Sequence, residues 1–160
     1  MIHDLKFRGQ LNVLSSMACL IERSGVLSEF TVPDLILPVP LHTARLRERG
    51  YNQALLLARA LFPGPYRRRI APFILQRHRY TAAQSQLTGR TRRQNLRGAF
   101  CLSSQQSIAG TAVLLIDDVF TTGATLHECA KVLKQGGCTT VEALSFARSL
   151  GAPANSAATT

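Results

Sequence analysis

Between Glu48 and Asp117 the sequence has no carboxylate, although it carries nine aspartates and glutamates in all. Lysine is missing from the same interval, whereas eleven arginines fall in it: Arg49, Arg59, Arg67, Arg68, Arg69, Arg77, Arg79, Arg90, Arg92, Arg93 and Arg97. With a formal charge of +10 for the whole chain, this composition faces a polyanion. Arginine's planar fork suits bidentate phosphate contacts, with a solvated basic face as the plainer alternative. Also lacking is any apolar run near the roughly 18 residues that cross a bilayer. Met1 is followed by His3, Asp4 and Lys6 rather than by a signal-peptide hydrophobic region. A soluble, cytoplasmic protein without membrane insertion is expected. The four cysteines, Cys19, Cys101, Cys129 and Cys138, form no CxxC pair, so neither a metal site nor a disulfide framework is signalled. They are expected to be small buried hydrophobes.

What is present is enough apolar sequence, 46% of 160 residues, to bury one core. One domain is expected over residues 1–150, followed by a small, polar, disordered tail over 151–160. Leu11, Leu14, Ala18 and Ile21 recur at helical spacing, with Gly25 just past a plausible end. DLILPV at 34–39 is a short apolar strand closed by Pro40, and NQALLLARALF is a helix stopped by PGP at 63–65. A further short strand is expected at 72–76, then a polar, Arg-rich loop, then a strand in AFCLSS. TAVLLIDDV is a strand, TLHECAKVLKQ a helix ended by Gly136 and Gly137, and TTVEALSFA a last strand. Strands and helices alternating at this spacing predict an α/β fold, a mostly parallel sheet with helices on both faces. Ligands of such sheets bind outside the carboxyl ends of the strands, where DLILPVP and VLLIDDV both terminate.

VLLIDDVFTTGAT, residues 113–125, places two carboxylates where an apolar strand runs out and a glycine turn where a helix begins. Thr121, Thr122, Gly123, Ala124 and Thr125 offer hydroxyls, small side chains, unpaired backbone N–H groups and the positive end of a helix dipole. They suit an oxyanion, and Thr125 doubles as a candidate cap. Asp117 and Asp118 accept hydrogen bonds only, so they would repel a phosphate but suit a pair of sugar hydroxyls. Together these features point to a ribose 5-phosphate. A plain turn and helix cap is the structural alternative for the Thr-Thr-Gly triplet alone.

The same stretch closely resembles the phosphoribosyl-diphosphate (PRPP) motif of type I phosphoribosyltransferases. PVPLHTARLRERGYNQALLLARAL at 38–61, followed by Gln84, Leu87, Arg90, Arg93, Asn95 and the pair at 99–100, is similar to the ComF/GntX family of phosphoribosyltransferase-like proteins. The likeness runs from about His3 to Arg148. In that family the HDLKFRG segment usually follows a cysteine-rich zinc module, which these 160 residues do not include, so no role of that module is carried over.

The resemblance implies a type I phosphoribosyltransferase fold, with Asp117 and Asp118 on the ribose hydroxyls and Thr121 to Thr125 on the 5-phosphate. It further implies that Val39, Pro40, Leu41 and His42 form a pyrophosphate loop, with Arg49 as the best candidate for an added charge. Residues 77–98 correspond to the loop that closes over PRPP in such enzymes, making Arg90 and Arg93 the candidate catalytic cations. Magnesium would be bound through PRPP. The implied activity is transfer of phosphoribosyl to an acceptor with release of pyrophosphate. Two alternatives stand beside it: a factor of DNA uptake in natural competence that handles single-stranded DNA, and a non-catalytic PRPP sensor. For the former, Arg77, Arg90, Arg92, Arg93 and Arg97 are the candidate contacts. Acceptor and oligomeric state are left open.

Overall fold

The computed structural model describes residues 13–80, 94–103 and 107–148. Three strands form a parallel sheet in the order β1 (Leu35–Pro38), β4 (Ala112–Phe120), β5 (Thr140–Arg148). Val113, Leu114, Leu115 and Ile116 of β4 pair with Leu35, Ile36, Leu37 and Pro38 of β1, and β4 pairs with β5 as far as Phe120 opposite Arg148. Beyond β1 the chain returns to lie parallel at one point, where Ile36 bridges Ile70 and Ala71 N–H donates to the Ile36 carbonyl at 3.0 Å.

Strand period two sorts the sheet's side chains onto two faces. Ile36, Leu114, Ile116 and Leu144 pack with α1 (Val13–Ser24) and α3 (Gln53–Leu61), through Met17, Ala18, Ile21, Leu57, Ala58 and Leu61. Leu37, Val113 and Leu115 point the other way, onto Leu126, Cys129 and Leu133 of α4 (Ala124–Gln135). Helices therefore cover both faces, as the alternation of elements predicts. Each fully buried Ile or Leu of the sheet contributes roughly 1.5–3 kcal/mol over its exposed state.

Several expectations are corrected. The strand expected at 72–76 forms at Leu75–Arg77 (β2) and does not join the main sheet. It pairs antiparallel with β3 (Phe100–Leu102), making a separate ribbon over the α4 face. A helix absent from the sequence reading, α2 (Thr43–Arg49), follows β1; it buries no side chain and so has no apolar stripe to announce it. Cys129 and Cys138 are buried as expected, but Cys101 is half-buried and Cys19 exposed, because Cys19 lies off the stripe by which α1 packs. Residues 151–160, with the tail expected there, lie outside the described residues.

Chain order fixes where a ligand belongs. From β1 the chain moves to the Ile70 side of the sheet and then back across β1 to β4 and β5. The winding direction reverses between β1 and β4, and the helices beside that point, α3 and α4, lie on opposite faces. Crevices at the carboxyl ends of strands flanking such a reversal are the usual ligand sites of open α/β sheets.

Candidate phosphoribosyl site

Two segments leave the sheet at that crevice. The first follows β1: Val39 N–H donates to the Ile116 carbonyl at 2.8 Å, and Pro38, Val39 and Pro40 are buried. His42 caps α2, its Nδ1 accepting from Ala44 N–H at 3.2 Å, and its ring meets Tyr80 edge-on with centroids 5.2 Å apart. Arg49 is half-buried in the last turn of α2. Asn52 fixes the loop to the next helix: its Nδ2 donates to the Val39 carbonyl at 3.0 Å, while its Oδ1 accepts from Leu55 N–H at 3.3 Å and caps α3.

The second segment is the end of β4 and the turn after it. The strand does not stop at the apolar run but continues through both aspartates, since β5 pairs with it to the end. Asp117 and Asp118 are half-buried, and Asp117 Oδ1 accepts from Asp118 N–H at 2.9 Å. Strand alternation carries Asp117 toward the α4 face with Leu115, and Asp118 toward the α3 face with Ile116.

Thr121 and Thr122 are exposed, and Gly123 takes the left-handed conformation (φ +71) as the cap of α4. Thr125, expected as a candidate cap, is instead inside the first turn; the tight turn puts glycine at the cap, and Thr122 Oγ1 accepts from Ala124 N–H at 3.4 Å. A Cβ on Gly123 would lie 2.9 Å from the Phe120 ring, so the position also requires glycine sterically. Asp117, Val119, Phe120, Thr121, Gly123, Thr125 and Leu126 line one cleft. Carboxylate, hydroxyls and the first turn of a helix thus share a surface, while Asp118 flanks it from the other face.

Arg77, grouped by sequence with the nucleic-acid candidates, turns inward. Its guanidinium lies 5.5 Å from the centroid of the Phe100 ring. Burial lowers its pKa from the ordinary arginine value; the nearby Cys129 and Asp117 oppose that shift, and Arg45 adds to it. The Cys129 thiol is pushed well above its usual range by burial, with Asp117 adding to the shift and Arg77 opposing it. Arg97 is exposed. Arg90, Arg92 and Arg93 lie outside the described residues.

Sequence reading passed over four residues here: Arg45, whose charge reaches Arg77; Asn52; Gln53; and Ser145, the register partner of Asp117. Of these only Asn52 carried a signal, a cap residue before an apolar run. Among the described residues no three metal-ligating side chains come together.

Residues 48–156 match the family model described as phosphoribosyl transferase domain. The chain belongs to that family. It is 34% identical over 158 residues to competence protein F of Haemophilus influenzae, covering 92% of this chain and 66% of that one. It is also 34% identical over 154 residues to the DNA utilization protein YhgH of Escherichia coli O6:H1, covering 94% and 66%. The chain thus spans just under two thirds of the length of these relatives. Among solved structures, the glutamine PRPP amidotransferase of Bacillus subtilis complexed with ADP and GMP aligns with a TM-score of 0.50 at 18% identity, over 90% of this chain and 27% of that one. The type I phosphoribosyltransferase fold and the likeness to competence proteins, both read from the motifs, therefore stand. No described helix is long and apolar enough to cross a membrane.

Proposed function

We propose that this phosphoribosyl transferase domain binds PRPP in the crevice between the β1 and β4 ends and transfers its phosphoribosyl group to an acceptor. The observation that carries the reading is the shared cleft of Asp117, Thr121, Gly123 and Thr125 at the winding reversal. Asp117 and Asp118 accept from the ribose hydroxyls, and the turn from Thr121 to Thr125 donates to the 5-phosphate. The Val39–His42 loop and Arg49 serve the pyrophosphate. As the acceptor's nucleophilic atom bonds to the anomeric carbon, pyrophosphate leaves with the electron pair of the broken bond. Cations around it, Arg90 and Arg93 among them, offset the charge that develops.

Two adjacent carboxylates, Asp117 and Asp118, with no third ligating side chain beside them among the described residues, fit a magnesium ion held chiefly by the ligand's own oxygens. Such an ion would supply charge compensation on the leaving pyrophosphate. Calorimetric titration with PRPP, with and without magnesium, tests the binding, and a screen of bases and amines for pyrophosphate release tests the transfer. Asp117→Asn combined with Asp118→Asn should weaken PRPP binding at least tenfold with the fold intact; equal affinity sinks the ribose assignment.

A second reading rests on the names of the relatives, a competence protein and DNA utilization proteins, and on the carboxylate-free, Arg-rich interval. In it the chain handles single-stranded DNA, with the pocket used for sensing rather than turnover. Binding of PRPP without pyrophosphate release favours this reading over the first.

A further inference from the structure

Gln53 is the one polar side chain among the described residues that is buried in the core, at 2% exposure. Its Nε2 has no hydrogen-bond partner among them. A buried amide donor left unmade is costly, and a Met or Leu of similar size would avoid that cost, so a glutamine at this position calls for a use. Its position supplies one. Gln53 opens α3 directly after Asn52, whose side chain fastens that end of the helix to the Val39 carbonyl, and Val39 is in turn bonded to Ile116. The first turn of α3 therefore sits at the carboxyl ends of β1 and β4. Ala54, Leu57, Ala58 and Leu61 of the same helix are buried, and the last three pack on Ile36, Leu114 and Ile116. Asp118 is the next residue of β4 on that face.

We propose that Gln53 is a positioning residue for Asp118: its amide takes up the Asp118 carboxylate when a phosphoribosyl ligand docks, and orients that carboxylate toward the ribose hydroxyls. Docking then gives the Gln53 Nε2 donor an acceptor that it lacks among the described residues, and that hydrogen bond adds to the affinity. An acceptor that gains a donor holds sugar hydroxyls at a fixed angle.

This inference rests on the PRPP reading above, and one double-mutant cycle separates the two. PRPP affinity and melting temperature are measured for the wild type, Gln53→Met, Asp118→Asn and the double variant. Gln53→Met should lower PRPP affinity about tenfold while the melting temperature of the free protein stays level or rises, and it should cause no further loss in the Asp118→Asn background. A wild type without PRPP affinity overturns the reading and this inference together. A wild type that binds, with Gln53→Met binding equally well, overturns the inference alone. So do losses that add across the two sites, or a Gln53→Met loss matched by a fall in melting temperature.

Discussion

Single side chains beneath the crevice make sharper tests than the crevice itself. Cys129 holds its proton in the folded protein past the ordinary thiol value of 9.0, at which the thiol of the unfolded chain is half ionised. With the folded pKa raised, the folded state binds more protons above that value, so this contribution is complete below pH 9.0 and declines as pH rises beyond it. The melting temperature should fall above that pH, and Cys129→Ala should shallow the fall; an unchanged slope in the variant would reject the assignment. The same burial predicts that a thiol reagent at mildly alkaline pH modifies exposed Cys19 and leaves Cys129 and Cys138 untouched in the native protein, which peptide mass mapping reads directly. Asn52 ties two elements with one side chain, so Asn52→Ala should cost about 1 kcal/mol from the cap alone. Denaturant unfolding measures that loss, and PRPP affinity should drop with it because the Val39 carbonyl is released from its restraint.

At the scale of elements, α4 is held at both ends by glycines for different reasons. Gly123 needs its positive φ, whereas Gly136 has φ −77 and is excluded from alanine by space: an added Cβ would overlap Leu102 Cδ1 and lie 2.9 Å from Ile108 Cδ1. Gly136→Ala should therefore destabilise by about 1–3 kcal/mol through overpacking, read in urea unfolding, without change in helix content. What the sequence made legible follows from periodicity. β4, α4 and β5 are announced by an apolar run, a 3.6-residue stripe and its glycine end, and the turn that joins β4 to α4 falls where the glycine predicts it, with Gly123 rather than Thr125 as the cap. α2 was not, since TARLRER buries nothing and leaves no stripe. The ribbon was not either: β2 and β3 are short, and their pairing joins residues more than twenty positions apart that no local pattern links. Arg77 and Gln53 fail for a related cause. Polar identity alone says surface, and only the fold shows an aromatic face under the one and a helix-to-sheet seam around the other.

For the molecule as a whole the uneven charge sets the long-range behaviour. Arg59, Arg67, Arg68 and Arg97 are exposed, and no carboxylate between Glu48 and Asp117 neutralises them in sequence. Other arginines of the interval are engaged by the fold itself: half-buried Arg69 donates from Nη1 to the Pro33 carbonyl at 2.5 Å, exposed Arg79 from Nη2 to the carbonyls of Asn95 and Arg97, and half-buried Arg77 lies on Phe100. A single-stranded oligonucleotide should accordingly bind with modest affinity and steep salt dependence, since each phosphate neutralised releases condensed counterions. Sequence preference should be slight, because Tyr66, Phe73 and Tyr80 are the exposed aromatics described in the interval and offer few stacking platforms. Replacing Arg90, Arg92, Arg93 and Arg97 together with Gln should flatten the dependence of log affinity on log salt by up to about 0.7 for each phosphate no longer neutralised. Arg77→Gln should leave that slope unchanged, as its charge faces Asp117 and Cys129 rather than a strand, and so should the paired Asp117→Asn and Asp118→Asn changes. Fluorescence anisotropy at low and moderate salt decides: a slope carried by Arg77 would relocate the surface, and no binding at low salt would remove the nucleic-acid reading for this chain.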